Sequence, residues 1–174
     1  MFLDDDLSRQ PGTFALVPQV VDAVDLPVIA AGGIADGRGI AAALALGAAG
    51  VQIGTAYLAT SEATISDLHR TALAEASDDA SQITNLFSGK PARGLSTRVM
   101  REIGPLSDDT PPFPTAGGAL APLKKAAEAN GKTDFSSLWA GQAAALARPG
   151  DAGEVTRRLV AEAGAHLTRL SRGR

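Results

Sequence analysis

Two short stretches carry residue types suited to holding an anion: Ala31-Gly32-Gly33 and Gln52-Ile53-Gly54-Thr55. Glycine lets the backbone approach a bound group closely, with its N–H aimed at the oxygens, and the Thr55 hydroxyl adds a donor. Each stretch closes an apolar run, Leu26-Pro27-Val28-Ile29-Ala30 in the first case and Ala49-Gly50-Val51 in the second. Short apolar runs with β-branched residues read as buried parallel strands. In parallel α/β folds ligands gather where strands end, and in barrels the last two βα loops commonly hold a phosphate. One glycine pair marks a tight turn as readily as a site. Two matched ends on successive strands favour the phosphate reading. A competing pattern, Gly37-Arg38-Gly39-Ile40-Ala41-Ala42, satisfies the loose dinucleotide spacing. It does not directly follow the strand, and Glu62, where an acidic ribose partner would be sought, comes after the second strand instead of ending it. The dinucleotide reading is the lesser one.

The elements that must position these ends can be read along the chain. Phe14 to Val24 has apolar residues at helical spacing, with Thr13 as N-cap and Pro18 as a reason for a late start or a kink. After the first strand, Asp36 caps a helix whose body, Ile40 to Leu46, stops at Gly47. After the second strand, Ser61 is expected to cap a helix running to about Ala76. Residues 14–76 thus read helix, strand, helix, strand, helix, and two strands joined by one crossover helix must lie parallel. Beyond Ala76 the texture changes. Gln82 to Phe87 reads as a short strand ending in the turn Ser88-Gly89-Lys90-Pro91, and Pro105 to Gly118 as a loop. Helix-like stretches cover about 95–103, 119–130 and 154–170. The expected division is 1–76 for the βα units and 77–174 for a mostly helical region.

Composition narrows the function classes. The chain has 174 residues, 45% hydrophobic and 20% charged, a balance that argues against disorder. A formal net charge of -3 with scattered basic residues gives no electrostatic reason to seek nucleic acid or an anionic membrane. No apolar run approaches the roughly 18 residues of a membrane span. The start lacks the basic and apolar regions of a signal peptide, so a cytoplasmic location is expected. With no cysteine, disulfides, thiolate metal sites and cysteine nucleophiles are excluded. Asp4-Asp5-Asp6 reads as a solvated run in preference to a metal site, and no metal is expected.

The residues from Pro27 to Gly39, followed by Leu44 to Thr55, resemble the seventh and eighth βα units of the nitronate monooxygenase family, formerly called 2-nitropropane dioxygenase. Related FMN barrels, including the flavin-type enoyl reductases, share that block. Phe87-Ser88-Gly89-Lys90-Pro91-Ala92-Arg93-Gly94 resembles a second family segment, usually with Arg at the position of Lys90, and Leu138-Trp139-Ala140-Gly141-Gln142 resembles a third. The matches span about Phe2 to Ala145. The resemblance implies an α/β fold: the last two βα units of an FMN-binding TIM-type barrel, with a mostly helical C-terminal region. It implies FMN as cofactor, with Gly33, Gly54 and Thr55 on its phosphate and Ala31, Gly32 and Gln52 alongside. It places Ser88, Lys90, Arg93, Trp139 and Gln142 on the flavin or substrate side. Read as residues, Arg93 caps a turn equally well, Lys90 is a surface charge and Trp139 a packing residue. The implied substrates are an alkyl nitronate and molecular oxygen.

The family's catalytic base is a histidine in a Gly-Gly-His segment just ahead of a stretch resembling Phe2-Leu3-Asp4-Asp5. His69 and His166 both fall in predicted helices, read as surface or partly packed, and do not fit that role, so no catalytic residue is assigned. A complete eight-stranded barrel typically needs about 200 residues or more. Two strands leave unpaired edges, so the sequence reads as a fragment with an incomplete barrel. The isolated chain is expected to be oligomeric, partly molten or poorly soluble. Two other functions stay open: an FMN-dependent enoyl reductase, and a non-catalytic remnant that binds flavin or phosphate weakly.

Overall fold

The computed structural model describes residues 6–173. Phe2-Leu3-Asp4-Asp5 and most of the acidic run lie outside the described residues. Asp6 accepts hydrogen bonds from the Ser8 backbone N–H at 3.0 Å and from the Ser8 hydroxyl, so it caps the 3-10 turn Leu7–Arg9. In chain order the longer elements are α1 (Thr13–Ala23), β1 (Ile29–Ala31), α2 (Gly37–Ala45), β2 (Gly50–Gln52), α3 (Thr55–Leu58), α4 (Asp67–Ala74), β3 (Ser81–Thr84), β4 (Ala92–Leu95), α5 (Arg98–Ile103), α6 (Ala116–Ala129) and α7 (Ala152–Ser171). No helix among the described residues is long and apolar enough to cross a membrane.

The chain forms two compact units. One joins 10–64 with 146–174, and the other joins 65–145 with the residues up to Arg9. These units do not follow a boundary at residue 76, because α7 returns to pack along α2.

In the first unit β1 and β2 lie parallel, with Ile29 opposite Gly50 and Ala31 opposite Gln52. The expected βαβ order is present, with shorter strands than the apolar runs suggested. Its core gathers Val17, Ala30, Ala43 and Ala48, with Val21, Ile34, Leu46 and Val51 packed around them. Only the middle residue of β1 points into this core; Ile29 is 55% exposed. Helix α1 differs from expectation at its start. Its N-cap is Gly12, and the Thr13 hydroxyl instead reaches the Ala31 carbonyl at 3.4 Å. The helix continues through Pro18. The carbonyl that Pro18 cannot serve belongs to Phe14, which is 73% exposed and so within reach of water. Asp36 caps α2 as expected, and Gly47 closes it at φ 91° with its backbone against Val21.

The α2–α7 contact is unusually close. A Cβ on Gly37 would lie 2.3 Å from the Cβ of Glu162 and 2.5 Å from the backbone nitrogen of Ala163. Val155, Leu159 and Ala163 are the buried residues of α7, and small side chains on α2 admit the helix.

The helix expected from Ser61 to Ala76 is shorter, α4 at Asp67–Ala74, and a separate one-turn helix, α3, precedes Ser61. Ser66, not Ser61, caps α4, its hydroxyl accepting from the His69 N–H at 3.2 Å. Ser61 is engaged elsewhere: its hydroxyl donates to Glu62 and its N–H to the Gly150 carbonyl. In the second unit β3 and β4 form an antiparallel hairpin, Ile83 opposite Arg93. The sequence pointed to no strand at 92–95, and the helix expected from Leu95 starts only at Arg98. A core of Leu86, Val99 and Met100 is completed by Phe87, Leu120 and Phe135.

His69, expected at the surface or partly packed, is buried in this unit, and its Nε2 has no hydrogen-bond partner. Burial pushes its pKa below the ordinary 6.5, against the opposing effect of the Trp139 backbone.

Two outcomes follow. Gly37→Ala should destabilise the protein by about 1–3 kcal/mol, since α7 backbone must move; an unshifted urea midpoint would contradict the close contact. The unfolded chain binds more protons at His69 than the folded one once pH drops through 6.5. Stability from this residue is therefore complete above 6.5 and lost as pH falls toward the folded-state pKa. Melting temperatures measured from pH 7.5 to 5 should fall in the parent and be flatter in His69→Gln; parallel curves would exclude His69 as the source.

Candidate functional site

The parallel register brings the two glycine-bearing strand ends level at one edge of the sheet. Ala31 is paired with Gln52, and the chain leaves β1 through Gly32-Gly33 and β2 through Ile53-Gly54. Ala31, Gly32, Gly33, Gln52 and Gly54 are all exposed, and Thr55 is half-buried at the start of α3. Gly33 adopts φ 74°, a conformation that disfavours any side chain. A Cβ built on Gly33 or on Gly54 would meet nothing within 4 Å, so the space over both is open. At Gly32 the same atom would come within 3.2 Å of the Thr13 hydroxyl, the group that holds the Ala31 carbonyl.

The helices that leave these ends begin differently. At α2 the Asp36 carboxylate accepts from the Arg38 N–H at 3.0 Å and the Gly39 N–H at 3.2 Å, and Glu162 from α7 accepts from the Gly37 N–H at 3.0 Å. The Arg38 guanidinium closes on Asp36 at 2.8 Å and holds its carboxyl below the usual carboxylate range, with the backbone N–H groups of Gly39 and Arg38 adding to the effect. The N-terminal donors of α2 are therefore spent on two carboxylates and do not serve a ligand. This removes the dinucleotide reading. Glu62, the other residue of that reading, accepts from the Ala152 N–H at 3.0 Å at the start of α7. At α3, by contrast, the N-cap is Gly54, with no side-chain cap.

The remaining sequence candidates belong to the second unit. The Ser88 hydroxyl donates to the Lys90 carbonyl at 2.8 Å and accepts from the Lys90 N–H, a closed local turn. Arg93 reaches across the hairpin to the Ser81 carbonyl at 2.8 Å, so its guanidinium ties β4 to β3. Trp139 forms a bridge with Gly94, and its ring meets Phe87 edge-on at 5.8 Å, the packing role that its residue type allowed. Gln142 is exposed. Of the histidines, His69 is buried in α4, and His166 on α7 has its Nδ1 2.8 Å from an Arg169 nitrogen. Glu162 was not singled out by sequence reasoning. It meets Gly37 from 125 residues away, and no local pattern signals such a pairing.

The nitronate monooxygenase family profile matches residues 5–162. A probable nitronate monooxygenase of Staphylococcus aureus is 43% identical over 136 residues, covering 78% of this chain and 38% of that protein. Its counterpart from Staphylococcus saprophyticus is 40% identical over 135 residues. Among solved structures, a nitroalkane oxidase from Streptomyces ansochromogenes superposes with a TM-score of 0.81 at 40% identity, covering 91% of this chain and 45% of that one. FabK from Thermotoga maritima gives 0.78 at 34% identity, covering 93% and 52%. The chain thus spans about two fifths of the length of these curated relatives. A profile match over nearly the whole chain, with identities of this size, has one conclusion: the chain belongs to the nitronate monooxygenase family, whose members are generally flavin-dependent oxidoreductases.

Proposed function

We propose that this chain supplies the phosphate-gripping end of an FMN-binding barrel, as its last two βα units, in a protein that oxidises alkyl nitronates with molecular oxygen. The observation that carries this reading is the pair of open glycine ends, level with each other and exposed, one of them at φ 74°. The site fits the cofactor's phosphate in shape and in donor type. Backbone at Gly33 and Gly54 can approach an anion without a side chain intervening, and Thr55 carries a hydroxyl beside them. Ala31, Gly32 and Gln52 form the adjoining rim. Bound there, FMN would take electrons from the substrate and be reoxidised by oxygen. The protein's part is to hold the phosphate and so fix the position of the ring.

The substrate side is proposed for the second unit, in the segment 77–145. Ser88 and Arg93 have polar atoms engaged within the hairpin, and Lys90, Trp139 and Gln142 are proposed on the same side. A second reading, an FMN-dependent enoyl reductase, is favoured by the similarity to FabK. The two readings share the phosphate end and differ in the co-substrate.

Three measurements bear on these proposals. Gly54→Asp should abolish FMN binding in a fluorescence titration, because the carboxylate fills the open space and repels the phosphate; a variant that binds FMN like the parent would remove the phosphate assignment. With FMN supplied, nitronate-dependent oxygen uptake by the 174-residue chain should fall about 10²- to 10⁴-fold below that of a family enzyme with its histidine base. Neither His69 nor His166 is placed to replace that base, and uptake at the enzyme's rate would show that the base lies elsewhere. In a protein that carries this segment within a closed barrel, oxygen uptake with a nitronate supports the first reading. NAD(P)H consumption with an enoyl thioester would replace it with the second, and neither activity would leave a binding remnant.

A further inference from the structure

We propose that Glu162, on the terminal helix α7, is the positioning residue that fixes the Gly32-Gly33 loop. The inference rests on the reading that Gly33 grips a phosphate. The loop from Gly32 to Asp36 is short and carries two glycines, so its conformation depends on how its ends are held. Its first end is pinned by the pairing of Ala31 with Gln52 and by the Thr13 hydroxyl on the Ala31 carbonyl. Its second end is Gly37, and the first donor of α2 there is taken by Glu162 at 3.0 Å. Asp36 takes the next two donors, of Arg38 and Gly39, but Asp36 is itself part of the loop and cannot anchor it to anything else.

Glu162 can reach Gly37 only because that position lacks a side chain, a Cβ there lying 2.3 Å from the Glu162 Cβ. Arg158, one turn earlier on α7, lies 3.8 Å from the other Glu162 oxygen and balances its charge. With Asp36 it takes the first three N–H donors of α2. A helix 125 residues away in sequence thereby sets the shape of one phosphate loop.

Amide hydrogen exchange on the full chain tests this without any cofactor. In Glu162→Ala, exchange over 32–39 should rise about tenfold, the scale of one lost hydrogen bond, while 50–52 in β2 stays at the parent rate. Glu162→Gln, which keeps a carbonyl acceptor, should remain close to the parent. Unchanged exchange at 32–39 in Glu162→Ala, or a rise at 32–39 and 50–52 together, overturns the proposal, as does a Gln variant that behaves like Ala. An FMN fluorescence titration of the parent runs beside it. If the parent binds no FMN while the exchange pattern holds, the phosphate reading falls and the positioning role of Glu162 stands.

Discussion

The parallel pairing of Ile29–Ala31 with Gly50–Gln52 is the constraint on which the first unit depends. Parallel strands cannot be joined by a tight turn, so the chain must cross over, and here α2 makes that crossing in nine residues. Such a helix has to be covered on two sides. Towards the sheet, Ala43 meets Val17 and Ala30. Away from it, α7 packs along α2 so closely that Gly37 leaves no room for a methyl group. Small residues bury little area each, and close approach is how this unit makes up for that. The register also determines where the chain leaves the sheet, so the packing that stabilises the crossover is the packing that aligns the two glycine ends.

Charge placement follows the same geometry. Helix N-termini attract anions, and a fold with several of them needs a way to direct a ligand to one place. Asp36 and Glu162 occupy the start of α2, and Asp151 and Glu62 that of α7, while the Ser66 hydroxyl serves α4. The starts of α1, α5 and α6 have no side-chain cap, and neither has that of α3, at Gly54. Two successive strands of one sheet thus lead into helices of opposite character, one closed by carboxylates and one left to backbone.

Much of this was legible because it is written locally. Apolar runs closed by glycines marked β1 and β2, Asp36 and Gly47 bracketed α2, and the strand ends stood out as matched chemistry. The departures all come from partners distant in sequence. Ser61 looks like a helix cap, but its N–H is drawn to Gly150 and its hydroxyl to Glu62, so the helix waits for Ser66. Strand β4 has the sequence Ala-Arg-Gly-Leu, with no alternating apolar pattern, and is held by Arg93 on Ser81 and by Trp139 against Gly94. His69 reads from sequence as surface or partly packed, and the fold buries it. Glu162 has no local pattern that points to Gly37.

The family match and the site geometry inform each other differently. Membership of the nitronate monooxygenase family rests on sequence over residues 5–162 and would stand whatever the loops looked like. The phosphate proposal rests on what the loops are: a positive φ at Gly33, open space over Gly33 and Gly54, and a neighbouring helix end already neutralised. The chain is similar both to a nitroalkane oxidase and to FabK, at 40% and 34% identity. A shared cofactor end therefore cannot by itself select the reaction. What separates the two readings has to come from the surface that meets the substrate, and in this chain that surface is proposed for the second unit. Ser88 and Arg93 there maintain the hairpin.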